Sequence, residues 1–236
     1  MEQLPSPAGR VAFFGGSFDP PHLGHLAIAR AAHAALHLDQ ILFAPVGAQP
    51  LKPEGAGAGF ADRLAMTRLA IAGAPGFTVS LVDAPNRSGA PNYTLETLLS
   101  VRSELPAGGE LFCLMGADSF LSLRHWHRAP EIPFAAPLIV ASRPGQRLDD
   151  LAAALPEGLT VERIPERNRA PTEVLIKALR LRNRENNTAC FYLLPGLHVE
   201  ISATQIRDEV RAGSLAGHEV LPAAVAGYIR MHGLYR

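Results

Sequence analysis

Gly15-Gly16-Ser17-Phe18-Asp19-Pro20-Pro21-His22-Leu23-Gly24-His25 follows a short apolar strand, Val11–Phe14, and precedes an alanine-rich helical pattern from Leu26 to Leu36. Strand, glycine-rich turn, then helix start is an arrangement that binds phosphate. Unpaired N–H groups at the helix start face an anion, and the helix dipole adds partial positive charge. Glycines let the backbone approach where a Cβ would intrude. Asp19-Pro20-Pro21 stiffens the turn and keeps a helix from starting early. His25 falls in the first helical turn and His22 just before it, where both supply donors. They are expected to aim outward at the strand's carboxyl end, where a doubly wound sheet binds its ligands. The plainer alternative is that both imidazoles only cap the helix and satisfy loop carbonyls.

Outward from this segment, strand-like and helix-like runs alternate. Strands are expected at Ile41–Pro45, Thr78–Val82, Leu111–Met115, Leu138–Ala141 and Phe191–Leu194. Helices are expected at Ala61–Ala72, Thr94–Glu104, Ala203–Ala212 and Ala223–His232. In the first helix Ile28, Ala31, Ala32, Ala35 and Leu36 recur at helical spacing. Alternation of this kind predicts an α/β fold, a doubly wound (Rossmann-like) parallel sheet with helices on both faces and a C-terminal helical part. Short strands with little alternation agree, since such sheets are covered on both sides. The irregular stretch after Asp149 is expected to hold a helix over Glu173–Arg184, its exposed face carrying Lys177, Arg180, Arg182 and Arg184. That face reads as solvated, with a phosphate or partner patch as the alternative. No repeat, linker or second hydrophobic core is evident. One domain over residues 1–236 is expected, with a core at 10–195 and the helical part at 196–236.

Composition narrows the possibilities. Lys plus Arg and Asp plus Glu each number 22, so the chain lacks the basic surface that nucleic acid or an anionic membrane selects. No apolar run approaches the ~20 residues of a membrane span. Met1–Gly9 has no apolar stretch of the signal-peptide kind. The two cysteines, Cys113 and Cys190, sit in apolar strand-like runs and are expected to be buried free thiols, which fits a reducing cytoplasm.

Three further segments carry chemistry. Ser202 to Gln205, in Ile201-Ser202-Ala203-Thr204-Gln205-Ile206-Arg207, fits a capping box, so a helix should begin near Ala203. Its N-terminus, the Ser202 and Thr204 hydroxyls and the Arg207 fork can hold phosphate oxygens; an ordinary capped surface helix is the alternative. Leu114-Met115-Gly116-Ala117-Asp118-Ser119 ends a buried strand in a small residue and a carboxylate, with Asp118 readable as a helix N-cap. Pro91-Asn92-Tyr93-Thr94 opens a helix, and His125-Trp126-His127 lies in a loop. A loop aromatic ring offers a stacking face for a planar ring and loop amides can bind a carboxylate, unless Trp126 simply packs in the core. His125 and His127 have no carboxylate or cysteine partners at metal-ligand spacing, so no protein metal site is expected.

Together, Gly15–Pro20 with His22-x-Gly24-His25 and Ile201–Arg207 resemble the H-x-G-H nucleotidyltransferase superfamily. The Pro91–Thr94 and Trp126-His127 segments, and the ending Gly233-Leu234-Tyr235-Arg236, are similar to its bacterial nicotinate-mononucleotide adenylyltransferases. The length and the lack of a K-M-S-K-S loop set class I aminoacyl-tRNA synthetases aside. The resemblance implies adenylyl transfer from ATP to nicotinate mononucleotide in NAD biosynthesis, giving deamido-NAD and pyrophosphate, with Mg²⁺ carried by ATP.

The same resemblance assigns His22, His25, Lys52 and Arg207 to catalysis. It assigns Gly15, Gly24, His25, Gly116, Asp118, Ile201, Ser202, Thr204 and Arg207 to ATP. Gly16, Ser17, Thr94, Trp126 and His127 fall to the mononucleotide. Three places depart from the family pattern. Leu51 stands where a histidine is usual, which leaves Lys52 alone at that phosphate contact. His127 replaces an aromatic residue, and the stretch Arg163–Thr188 is long and has no assigned role. A nicotinamide-mononucleotide or pantetheine-phosphate adenylyltransferase shares the reaction and differs in the acceptor pocket. A non-catalytic nucleotide-sensing module is the reading from another class. A homo-oligomer is compatible with the sequence; nucleic-acid and membrane partners are not expected.

Overall fold

In the computed structural model, residues 9–48, 57–142, 148–163, 176–194, 201–214 and 220–236 are described. The chain runs β1 (Arg10–Gly16), α1 (Leu23–Leu36), β2 (Gln40–Pro45), α2 (Phe60–Ile71), β3 (Phe77–Val79), α3 (Thr94–Glu104) and β4 (Glu110–Gly116). It continues through α4 (Ala117–Ser122), α5 (Ile132–Ala135), β5 (Leu138–Ala141), α6 (Leu148–Ala153), β6 (Thr160–Arg163), β7 (Lys177–Arg182) and β8 (Thr188–Leu194). The helices α7 (Ala203–Arg211) and α8 (Ala223–His232) end it.

The eight strands of the described residues join one sheet in the order β3-β2-β1-β4-β5-β8-β7-β6. From β3 to β8 every neighbouring pair is parallel, as the alternating pattern predicts. The order reverses between β1 and β4, which opens a crevice at their carboxyl ends. Successive β1 residues serve opposite faces. Val11 and Phe13 pack with Leu95, Leu98 and Val101 of α3, whereas Ala12 and Phe14 pack with Leu26, Ala29 and Ala32 of α1. With a helix layer on each side neither set can be polar, so β1, β2, β4 and β5 read as unbroken apolar runs.

One expectation is corrected at the far edge. Lys177–Arg182 is strand β7, antiparallel to β8 and to β6, and not part of a helix. Lys177-Ala178-Leu179-Arg180-Leu181-Arg182 has period two: Leu179 and Leu181 are buried while Arg180 is exposed. Cross-strand pairing then satisfies Arg182, whose Nε donates to Glu162 Oε1 at 2.9 Å. Residues 173–175 of the expected helix lie outside the described ones. Cys113 is a buried thiol, but Cys190 is exposed, contrary to expectation: it lies in the first part of β8, which pairs with β7 before the pairing with β5 begins at Phe191.

The third strand stops at Val79, short of the expected Val82, and the chain turns away there. The helical tail also builds a small apolar cluster of its own, which the sequence did not announce. Ile206, Leu221, Val225, Ala226 and Ile229 close over Met66 of α2. Among the described residues, no helix is long and apolar enough to cross a membrane.

Candidate active site

The site grows from the carboxyl end of β1. After Gly16 the chain turns through Phe18, which adopts a left-handed conformation (φ 48°). A non-glycine residue there costs about 1–3 kcal/mol. Burying the ring, 1% exposed, offsets that by about 1.5–3 kcal/mol. Phe18 packs edge-on against Phe14, with centroids 5.5 Å apart, and against His25 at 5.0 Å. The turn leaves His22 as the N-cap of α1, so the helix starts at Leu23, three residues earlier than predicted.

His22 is buried in the turn and His25 is half-buried beside it. They stack at 3.7 Å, and His22 is 8% exposed. His25 Nδ1 accepts the His22 backbone N–H at 3.1 Å. An acceptor at Nδ1 places the proton of neutral His25 on Nε2, which leaves that nitrogen as a donor. Desolvation lowers the His22 pKa to about 4. Desolvation, then the neighbouring His22, lowers that of His25 well below the usual imidazole range. Both rings are therefore neutral at pH 7. Among the described residues, the buried His22 Nδ1 has no hydrogen-bond partner.

The late segment reaches the same loop. Arg207, on α7, donates from Nη1 to the Asp19 carbonyl at 2.8 Å and from Nη2 to Thr204 Oγ1 at 3.1 Å. A second tie runs from the Leu23 amide to the Val220 carbonyl at 2.9 Å. The helix begins at Ala203 as expected, but the capping box does not form. Ser202 makes no side-chain cap, and Gln205 Nε2 donates forward to Glu209 Oε1 at 3.0 Å. A glutamate one turn on competes for the amide that would have reached back. Ile201 packs partly buried against the tail cluster.

Beside the β1–β4 crevice lies a cavity of about 410 Å³. Gly15 and Gly16 from β1, Asp118 from α4, Thr94 at the start of α3, and Trp126 and His127 from the following loop all line it. Asp118 sits inside the first turn of α4 and not at its N-cap, which is Gly116. A Cβ at Gly116 would meet only Ile28 Cδ1, at 3.7 Å, so packing within the protein does not demand glycine there. Trp126 both packs against the core and walls the cavity, and its Nε1–H donates to Ser122 Oγ at 3.2 Å. His127 lies over Tyr93 with centroids 4.4 Å apart, its Nε2 3.8 Å from Glu96 Oε1. Gly24 is buried in α1, and Ser17 presents its carbonyl to Arg63 Nη1 at 2.7 Å. Lys52 lies outside the described residues.

Sequence reasoning missed several residues that hold the site together. Asp19 was read only as a turn former, yet its buried carboxylate accepts the Gly57 and Ala58 amides at 2.6 and 3.0 Å and the Tyr235 hydroxyl at 2.6 Å. Arg63 is 3% exposed and donates to the carbonyls of Ser17, Val46 and Ala58, joining three loops. Its place on the buried face of α2, beside Met66 and Thr67, was the available signal. Asp83 lines the cavity, and its burial raises its pKa although the Thr97 hydroxyl donates to Oδ1 at 2.7 Å. Asn92 bridges the loops, accepting from the Ala48 amide and donating to the Ala84 carbonyl. Gly47 lies so close to Pro85 that a Cβ would come within 2.4 Å of its backbone.

Residues 13–209 match the family model described as Cytidylyltransferase-like. A probable nicotinate-nucleotide adenylyltransferase of Laribacter hongkongensis is 38% identical over 237 residues, covering all of this chain and 98% of the relative. One from Gloeobacter violaceus is 36% identical over 226 residues, covering 96% of each. Among solved structures, a Plasmodium falciparum nicotinic acid mononucleotide adenylyltransferase complexed with NaAD superposes with a TM-score of 0.64. It is 14% identical, with 96% of this chain and 97% of that one covered, so the likeness is one of fold.

Proposed function

The chain belongs to the Cytidylyltransferase-like family, and from that footing we propose that it transfers the adenylyl group of ATP to nicotinate mononucleotide. The products are deamido-NAD and pyrophosphate, which makes it an enzyme of NAD biosynthesis. A 5′-phosphate oxygen of the mononucleotide attacks the α-phosphorus in line as the bond to the bridging β-phosphate oxygen breaks. A phosphate monoester has a second pKa near ~6, so the nucleophile is mostly a dianion at neutral pH and needs no general base. Alignment and stabilisation of developing charge then carry the catalysis.

The observation that carries this reading is the Arg207–Asp19 hydrogen bond, which brings the late segment onto the loop bearing His22 and His25. Neutral His25, with its proton on Nε2, donates to the α-phosphate without titrating near pH 7. The Nδ1 of buried His22, which has no hydrogen-bond partner among the described residues, is a second polar atom on the same loop. Arg207, Thr204, Ser202 and Lys52 take the β- and γ-phosphates, with Gly15, Gly24 and Ile201 shaping that side. Gly116 and Asp118 take the adenosine. Mg²⁺ arrives as part of the ATP substrate, held mainly by phosphate oxygens and water.

The cavity takes the pyridine end of the mononucleotide. Trp126 supplies the stacking face, the Thr94 and His127 amides meet the carboxylate, and Gly16 and Ser17 lie toward its phosphate. A cytoplasmic setting accompanies this function, in keeping with two free cysteines. The deciding experiment compares nicotinate mononucleotide, nicotinamide mononucleotide and phosphopantetheine as acceptors by pyrophosphate release. The highest kcat/KM should fall to nicotinate mononucleotide. Preference for another acceptor would overturn the substrate assignment, and no release with any would overturn the reaction.

A further inference from the structure

We infer that Tyr235, the penultimate residue, is a positioning residue for the ATP side of the site. Its hydroxyl saturates the Asp19 carboxylate and so keeps Arg207 available for phosphate. The inference rests on the adenylyl-transfer reading and deepens it.

A carboxylate is an unexpected group in a loop that must face a triphosphate, since like charges repel. Asp19 is nonetheless there, 5% exposed, and its geometry shows how its charge is contained. Oδ2 accepts the Gly57 amide at 2.6 Å, while Oδ1 accepts the Ala58 amide at 3.0 Å and the Tyr235 hydroxyl at 2.6 Å. Three donors converge on two oxygens, and hydrogen bonds to a charged acceptor are the strong ones.

Arg207 stands at the edge of this arrangement. Its Nη1 donates to the Asp19 carbonyl at 2.8 Å and forms a longer ion pair with Oδ2 at 3.8 Å, so its hydrogen bond goes to the backbone and not to the carboxylate. Without the tyrosine hydroxyl, Oδ1 keeps, among the described residues, only the Ala58 amide as donor. The under-satisfied carboxylate then competes with substrate phosphate for the guanidinium.

The tail is built to deliver that hydroxyl. Gly233 closes α8 in a left-handed conformation, and Tyr235 itself sits at φ 64°, which a non-glycine residue adopts only where its surroundings enforce it. The ring is 7% exposed, in the cluster with Ile206 and Ile229. The Gly57 peptide is so closely packed that an added Cβ would lie 3.1 Å from Arg207 Cδ and 3.3 Å from the Tyr235 ring. Burial, and then the bond to Asp19, push the hydroxyl's pKa up, so it remains a donor throughout the working range.

Tyr235→Phe keeps the ring and removes only the hydroxyl. Affinity for α,β-methylene-ATP is read by calorimetry. Affinity for nicotinate mononucleotide is read from the fluorescence of Trp126, the single tryptophan. The expected result is ATP-analogue binding weakened about tenfold with mononucleotide binding within about twofold of wild type, a split that loss of packing alone would not give. Unchanged analogue affinity, or equal loss of both affinities, overturns the inference. Wild-type pyrophosphate release, measured in parallel, tests the underlying reading separately: wild-type turnover with an indifferent Tyr235→Phe sinks the inference alone.

Discussion

His22→Gln removes one titrating imidazole from the stacked pair and keeps a neutral polar side chain of similar reach. His22 is 8% exposed, and burial drops its pKa from 6.5 to about 4. The folded value lies below the unfolded one, so as pH falls the unfolded chain takes up the proton first. Stability is therefore full above the unfolded pKa and is lost as pH falls towards the folded one. At ~1.4 kcal/mol per pKa unit the full gap corresponds to about 3 kcal/mol, of which about 2 kcal/mol is lost by pH 5. The assay is urea unfolding of wild type and variant at about pH 7.5 and pH 5, with the m-value checked for constancy. Carboxylates contribute equally to both proteins, so the difference between the two pH slopes isolates the imidazole. The wild type should lose about 2 kcal/mol more than His22→Gln over that interval. Parallel pH profiles would refute the argument that this loop holds its rings neutral, and with it the assignment of His25 as an uncharged donor.

Three further outcomes follow from the site. His25→Ala should lower kcat by about 10² or more, the usual scale for one transition-state donor, and near wild-type turnover in a steady-state assay would reject that role. Trp126→Ala should raise KM for the mononucleotide more than it lowers kcat, because a stacking wall contributes to ground-state binding; an unchanged KM would return Trp126 to the core alone. Asp83→Asn keeps an oxygen for the Thr97 hydroxyl and removes a desolvated charge. Because burial raises the folded pKa, the wild-type penalty grows as pH rises above the unfolded value near 3.8. The variant's gain in Tm should therefore be larger at pH 8 than at pH 4, and equal gains would contradict a buried charged carboxylate.

The reading from sequence succeeded where one physical pattern dominated. Val11–Phe14, Leu111–Met115 and Leu138–Ala141 are apolar on both sides, a property that only a strand covered by two helix layers requires, and all three are parallel strands at the sheet centre. It failed where two patterns overlapped. Lys177–Arg182 carries long charged side chains that suit a helix surface, and the period-two burial of Leu179 and Leu181 became visible only with β6 and β8 beside it. The capping box at Ser202 failed for a similar reason, since Glu209 outbid the backbone for Gln205.

Local order, the glycine-rich turn and the positions of most helices are properties of neighbouring residues, and the amino-acid string alone determined them. So did the family, through motifs that are contiguous in the chain. Tertiary structure alone decided which charged groups are buried and what compensates them. Asp19 meets Tyr235 across 216 positions and Arg207 across 188. No local propensity encodes such pairings, because a buried carboxylate survives only where donors from distant segments converge on it. The same holds for the neutrality of His22 and His25, which comes first from desolvation by the folded loop and, for His25, then from the neighbouring His22.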